Sequence, residues 1–118
     1  MDIFEAWSVQ FRKGIVELMV LRLLESQSLY GYAIVRELKS RGEMVAGEAT
    51  IYPVLRRLEK DALVESEWSH EAPGNPRRYY TATAKGREFL QRALQEWRRV
   101  DGALASLEGE AHDEHTDR

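Results

Sequence analysis

Tyr52, Arg56 and Arg57, with Pro53 and Lys60 beside them, lie opposite an apolar stripe of Ile51, Val54, Leu55 and Leu58. The stripe recurs at i, i+3, i+4 and i+7, the spacing of an amphipathic helix. An ordinary solvated face alternates Glu and Lys more often than it gathers a tyrosine and two arginines. A guanidinium can fork two hydrogen bonds onto the edge of a guanine, and a tyrosine hydroxyl more commonly bonds a phosphate. A second basic pair, Arg77 and Arg78, follows a loop-like stretch and offers further phosphate contacts. The plainer reading is a solvated helix face, with Arg57 paired to a neighbouring carboxylate.

The chain has 118 residues, enough for one core. It contains no cysteine, which removes disulfides and thiolate metal sites. The longest apolar run, Ile15 to Leu24, is broken by Glu17 and Arg22, so no membrane span is expected. The Met1-Asp2-Ile3-Phe4-Glu5 start lacks the basic region of a signal peptide, and a cytoplasmic protein is expected. The net charge of −3 does not weigh against nucleic acid once it is located. Residues 108–118 hold five carboxylates against Arg118, while the rest of the chain holds 16 basic and 15 acidic groups. Acidity therefore belongs to the tail, and a neutral body binds DNA if its positive charge is gathered on one face.

Several elements must position these groups. Residues 1–9 carry few structure signals, although Phe4 and Trp7 are large apolar groups to leave exposed. A helix is expected from about Phe11 to Ser26, apolar around most of its circumference and so buried on more than one side, partly against a second subunit. After a break at Ser28–Tyr30, a helix over Gly31–Arg41 puts Gly31, Ile34, Val35 and Leu38 on one face, with Gly42 as its stop. Met44 to Gly47 links it to the helix carrying Tyr52 and Arg56, which is expected to start near Thr50 so that Pro53 falls in its first turn. Two short amphipathic helices joined in this way form a helix-turn-helix, the second being the reading element. Leu63–Trp68 and Arg77–Thr83 alternate as two strands around a loop containing Pro73, Gly74, Asn75 and Pro76. One of Tyr79 and Tyr80 should face the core, and Glu65 and Glu67 should face solvent. The expected fold is mainly α with a small β-hairpin, a winged helix-turn-helix over residues 1–83.

Thr83 can cap a last helix over 84–107, in which Phe89, Leu90, Ala93, Leu94, Trp97, Val100, Leu104 and Leu107 recur every three or four residues. Such a helix is about 36 Å long, against a radius of gyration of about 13 Å for a compact domain. It must project, and its apolar stripe needs a second copy of the chain as cover. The expected dimer interface uses Phe11, Ile15 and Leu18 from the first helix and Leu90, Trp97, Val100 and Leu104 from the last. Leu90, Ala93, Leu94 and Asp101 share the face of Trp97, and Trp7 and Phe11 either close that pocket or pack on the last helix. The plain reading of Trp97 is interface packing. The tail, residues 108–118, is expected to be disordered, which disfavours His112 and His115 as metal ligands. No nucleophile, base or phosphate-cradling glycine run points to catalysis, and no cofactor or metal is expected.

Tyr30-Gly31-Tyr32, the run from Glu48 to Asp61, Pro76-Arg77-Arg78-Tyr79-Tyr80 and Thr83-Ala84-Lys85-Gly86 together resemble the PadR family of transcriptional regulators, in order over roughly residues 11–107. The single last helix resembles the small subgroup of that family. The resemblance implies contact with double-stranded operator DNA by Tyr30, Ala49, Thr50, Tyr52, Pro53, Arg56, Arg57, Arg77 and Arg78. The run from Glu96 to Asp101 is similar to the interface helix of multidrug-binding PadR-type repressors. That implies a planar aromatic effector stacked on Trp97, with Leu90, Ala93, Leu94 and Asp101 around it. The sequence departs from the family in three places: Ala62 where glycine is usual, Asn75 where the wing often has arginine, and Glu48-Ala49 at the helix start. Ala62 implies a turn that avoids positive φ. The expected function is a homodimeric repressor; the alternative is a winged-helix ligand- or protein-binding dimer without sequence-specific DNA binding.

Overall fold

Asp2 opens the first helix, its carboxylate accepting from the Glu5 backbone N–H at 2.7 Å. The computed structural model describes residues 2–42, 47–69 and 74–116, with side chains described as far as Glu108. The expected linker at Met44–Ala46, the loop residues His70–Pro73 and the side chains of His112 and His115 lie outside the described residues. Helix α1 (Ile3–Leu24) begins well before the expected Phe11, because the Asp2 cap satisfies a free N–H and no Gly or Pro interrupts residues 3–10. It buries Val16, Val20, Leu21 and Leu24.

The stretch expected as a plain break contains a strand, β1 (Leu29–Tyr30), that pairs antiparallel with Tyr80 and Tyr79. Helix α2 (Gly31–Lys39) buries Gly31, Ala33, Ile34, Val35 and Leu38. It ends before the expected Arg41, and Gly42, at a φ of 134°, turns the chain away. Helix α3 (Glu48–Lys60) buries the stripe Ile51, Val54, Leu55 and Leu58. It starts at Glu48 rather than near Thr50, with Gly47 accepting from the N–H groups of Thr50 and Ile51. Pro53 therefore sits beyond the first turn and lacks the N–H that would bond the Ala49 carbonyl.

Strands β2 (Val64–Ser69) and β3 (Arg77–Ala82) pair antiparallel, giving the order β1-β3-β2. The expected two-stranded hairpin is thus a three-stranded sheet, with β3 at its centre. Val64, Tyr80 and Ala82 face the core, while Glu65 and Glu67 face solvent. Helix α4 (Ala84–Thr116) closes the order, and Thr83 caps it by accepting from the Gly86 N–H at 2.9 Å. It runs past the expected end at Leu107, to Thr116. No proline interrupts residues 84–116, and Ala103, Ala105 and Ala111 carry no helix penalty. The projecting helix stretches the molecule to 72 Å along its long axis, with a radius of gyration of 18.3 Å.

The turn between α3 and β2 contradicts the expectation for Ala62, which adopts a φ of 60°. The Leu63 N–H reaches the Leu58 carbonyl and the Ala62 N–H reaches the Glu59 carbonyl, the bond pair of a Schellman motif. That motif requires a left-handed residue at this position, and here an alanine supplies it. The start of α4 secures the turn: Thr83 Oγ1 donates to the Ala62 carbonyl at 2.7 Å, the Thr83 N–H to Leu63 at 3.1 Å, and Lys85 Nζ to Asp61 at 3.0 Å. A Cβ on Gly86 would lie 1.9 Å from the Leu63 carbonyl oxygen, so only glycine fits there.

Candidate nucleic-acid interface

Burying one stripe of α3 turns the opposite face outward. Ala49, Pro53, Arg56, Arg57 and Lys60 are exposed, while Thr50 and Tyr52 are half-buried. Tyr52 lies across the start of α2, where a Cβ on Gly31 would come within 2.5 Å of its ring. The missing side chain at Gly31 leaves the space that the Tyr52 phenol occupies. Burial pushes the Tyr52 pKa up, with Glu48 and Tyr80 adding to the shift, so the hydroxyl stays a protonated donor at neutral pH.

The two arginines of α3 differ. Arg57 pairs with Glu17 of α1, and Arg56 takes part in none of the ion pairs among the described residues. The Glu17 pairing realises the plain reading of Arg57 and assigns that guanidinium to holding α3 against α1. Glu17 stood in the sequence only as an interruption of an apolar run. An acid inside so apolar a helix was the available signal that it had a fixed partner.

Arg77 and Arg78 also part company, because successive strand residues face opposite sides of a sheet. Arg78 lies on the Tyr80 side of β3, exposed at its edge but bonded to its neighbours. Its Nη2 reaches both Glu59 carboxylate oxygens at 3.0 Å, its Nε donates to Ser66 Oγ at 2.7 Å, and Ser66 in turn donates to Glu59 at 2.5 Å. These bonds brace β2 and β3 against α3, and neither Glu59 nor Ser66 was singled out from sequence. Arg77 points outward and lies over the Tyr30 ring at 4.4 Å, and Tyr30 meets the Tyr79 ring edge-on at 5.6 Å. The unforeseen β1 strand provides this platform. Arg56 and Arg77 are thus the free guanidiniums of the nine expected contact residues, with Arg57 and Arg78 engaged within the fold.

The expected effector and dimer residues divide in the same way. Leu90 belongs to the subunit's own core, fully buried, because it packs under the body where α4 starts; it is not available to a ligand or partner. Leu94 is half-buried against that core, Ala93 is half-buried, and Trp97 and Asp101 are exposed. Phe11, Ile15 and Leu18 of α1 face Ala93, Trp97, Val100, Asp101 and Leu104 of α4 across a groove of about 430 Å³. A second cleft of about 760 Å³ shares Phe11, Ile15, Leu18 and Trp97 and opens towards Arg22, Arg41 and Arg98. Trp97 therefore lines both. Trp7 lines neither; it stacks on Phe11 at 5.1 Å and meets Phe4 at 5.8 Å along the exposed side of α1.

No described helix is long and apolar enough to cross a membrane. Among the described residues, no group of three or more His, Cys, Asp or Glu could hold a metal ion.

Residues 20–92 match the model of the transcriptional regulator PadR-like family. A transcriptional regulator of Mycobacterium tuberculosis is 37% identical over 90 residues, covering 74% of this chain and 82% of its own. An uncharacterised protein of Lysinibacillus sphaericus is 33% identical over 90 residues, covering 75% and 83%. Among solved structures, a PadR family transcriptional regulator from Eggerthella lenta superposes with a TM-score of 0.80 at 32% identity, covering 90% of this chain and 92% of that one. A PadR-like transcriptional regulator from Bacillus cereus gives 0.73 at 33% identity, covering 83% and 95%. With its winged-helix fold and these matches, the chain belongs to the PadR-like family of transcriptional regulators, which bind DNA and are not enzymes.

Proposed function

We propose that the protein is a cytoplasmic homodimeric repressor that reads a pseudo-palindromic operator with α3 and is released by a planar aromatic ligand at the dimer centre. The carrying observation is the division of the arginines: Arg57 and Arg78 are held within the fold, leaving Arg56 on the outer face of α3 and Arg77 raised on Tyr30. Arg56 enters the major groove and bonds base edges. Tyr52, Thr50, Ala49 and Pro53 pack beside it, and Arg77 and Tyr30 meet the phosphate backbone from the wing.

Trp97, Val100, Leu104 and Leu107 are spaced by three, four and three residues, the seam of a coiled coil, and all are about half exposed or more. A second copy covers them, with Phe11, Ile15 and Leu18 completing the interface. Paired copies set their α3 helices about one DNA turn, roughly 34–36 Å, apart. A flat aromatic ligand between the Trp97 side chains, beside Ala93, Leu94 and Asp101, favours a spacing that misfits DNA. It shifts the balance only by its differential affinity for the two spacings.

Fluorescence anisotropy with the duplex upstream of the protein's own gene tests the repressor reading. Binding is expected to be salt-sensitive and sequence-selective, and to lose selectivity in Arg56→Ala. Equal affinity for scrambled and upstream DNA would favour the alternative, a dimer without sequence-specific reading. Quenching of tryptophan fluorescence by planar aromatic compounds tests the effector site; unaltered affinity in Trp97→Ala removes the stacking model.

A further inference from the structure

Beside the outer face of α3 lies a cleft of about 710 Å³ whose α1 side none of the expected contacts accounts for. Its α3 wall is Ala49, Thr50, Pro53 and Arg57, and its α1 wall includes Arg12, Lys13 and Glu17. Glu17 is already paired with Arg57, so those two charges offset each other and the cleft keeps the positive charge of Lys13. Lys13 is exposed and takes part in none of the ion pairs among the described residues. Arg12 lies along α1, its Nε donating to the Ser8 carbonyl at 3.3 Å.

The placement gives this charge a use. A helix with its side chains is about 10–12 Å across, close to the roughly 12 Å width of the major groove. When α3 occupies the groove, the next element beside it stands at the groove wall, where the phosphates run. Packed helices lie about 8–10 Å apart axis to axis. Helix α1 packs against α3, with Val16 and Val54 both in the buried core and Glu17 paired to Arg57, and Lys13 lines the cleft between the two helices.

We propose that α1 is a third DNA-contacting element, with Lys13 gripping a backbone phosphate beside the reading helix. This rests on the reading of α3 as the groove-entering helix. The contact carries no base information, because a lysine on a phosphate positions the protein without selecting sequence. It also sets α1 in two tasks, since its far side faces α4 across the groove with Phe11, Ile15 and Leu18.

The test is operator affinity of the full-length dimer measured across a salt series. Each phosphate neutralised contributes about 0.9 to the slope of log affinity against log salt. Lys13→Gln is expected to lower that slope by about 1.8 for the two subunits together, while leaving the ratio of operator to scrambled-duplex affinity unchanged. Lys13→Arg is expected to keep the slope. Arg56→Ala is the control, expected to reduce the sequence ratio. An unchanged slope in Lys13→Gln, with Arg56→Ala still losing selectivity, overturns the α1 contact alone. A sequence ratio unaffected by Arg56→Ala overturns the reading of α3 on which the contact depends. A Lys13→Gln variant that loses sequence selectivity also counts against it, since a phosphate contact cannot do that.

Discussion

Ala62 holds a left-handed backbone that glycine adopts without penalty, and three donors from Thr83 and Lys85 keep it there. The strain is local and removable, because Ala62 is exposed. Ala62→Gly is expected to raise unfolding free energy by about 1 kcal/mol, the order of the penalty for a left-handed alanine. Gly86→Ala acts at the other side of the same turn and in the opposite direction. Its methyl would meet the Leu63 carbonyl, a backbone atom that the Schellman bonds and the Thr83 N–H hold in place. A loss of about 3 kcal/mol or more is expected, at the upper end for overpacking because no flexible side chain can give way. Urea titrations at one fixed protein concentration, to hold any association constant, read both changes. Equal stability of Ala62→Gly and the parent would show that the turn is not strained.

The elements carry the division of labour that single residues only hint at. Arg77 and Arg78 are neighbours in sequence, yet β3 sends one to Tyr30 and the other to Glu59. Arg77→Ala is expected to weaken operator binding by removing a phosphate partner, lowering the salt slope by about 0.9 per subunit. Arg78→Ala should leave the slope nearly intact and instead loosen the sheet from α3, unpairing Glu59; lower thermal stability with an unchanged salt slope is the expected signature. Equal slopes for both variants would mean that the wing arginines act alike. The stripes of α2 and α3 were legible because helical burial imposes a period, and so was the core position of one of the two tyrosines. Strand β1 was not, because two residues carry no period and their pairing with Tyr79 and Tyr80 is a contact across the chain. Which arginine stays free was also hidden, since it depends on Glu17 and Glu59, carboxylates distant in sequence from their partners. Leu90 was misplaced for a related reason: it continues the stripe of Trp97, but only the part of α4 beyond the body leaves that stripe uncovered.

At the scale of the whole molecule, a helix that leaves the body uncovered over Trp97, Val100, Leu104 and Leu107 raises a question of affinity as much as of assembly. Those side chains are 48–61% exposed in one copy, a long apolar seam to leave in water. The same residues lie outside the core cluster that stabilises the winged helix, to which α4 contributes Leu90 and Leu94. The two functions are therefore separable by substitution. Leu104→Asp, alone or with Val100→Asp, places a carboxylate in the seam, where its burial without a partner costs several kcal/mol. Sedimentation velocity at micromolar protein is expected to show monomers, with far-UV circular dichroism preserved. Operator affinity should then fall by a factor of about 10² to 10⁴, the gain that a linked second half-site provides. A half-site duplex should be bound about equally by the parent and the variant, because each reading head is intact. A variant that stays dimeric would place the interface elsewhere. One that becomes monomeric yet binds the full operator as tightly as the parent would show that a single α3 suffices, and that the length of α4 serves another purpose.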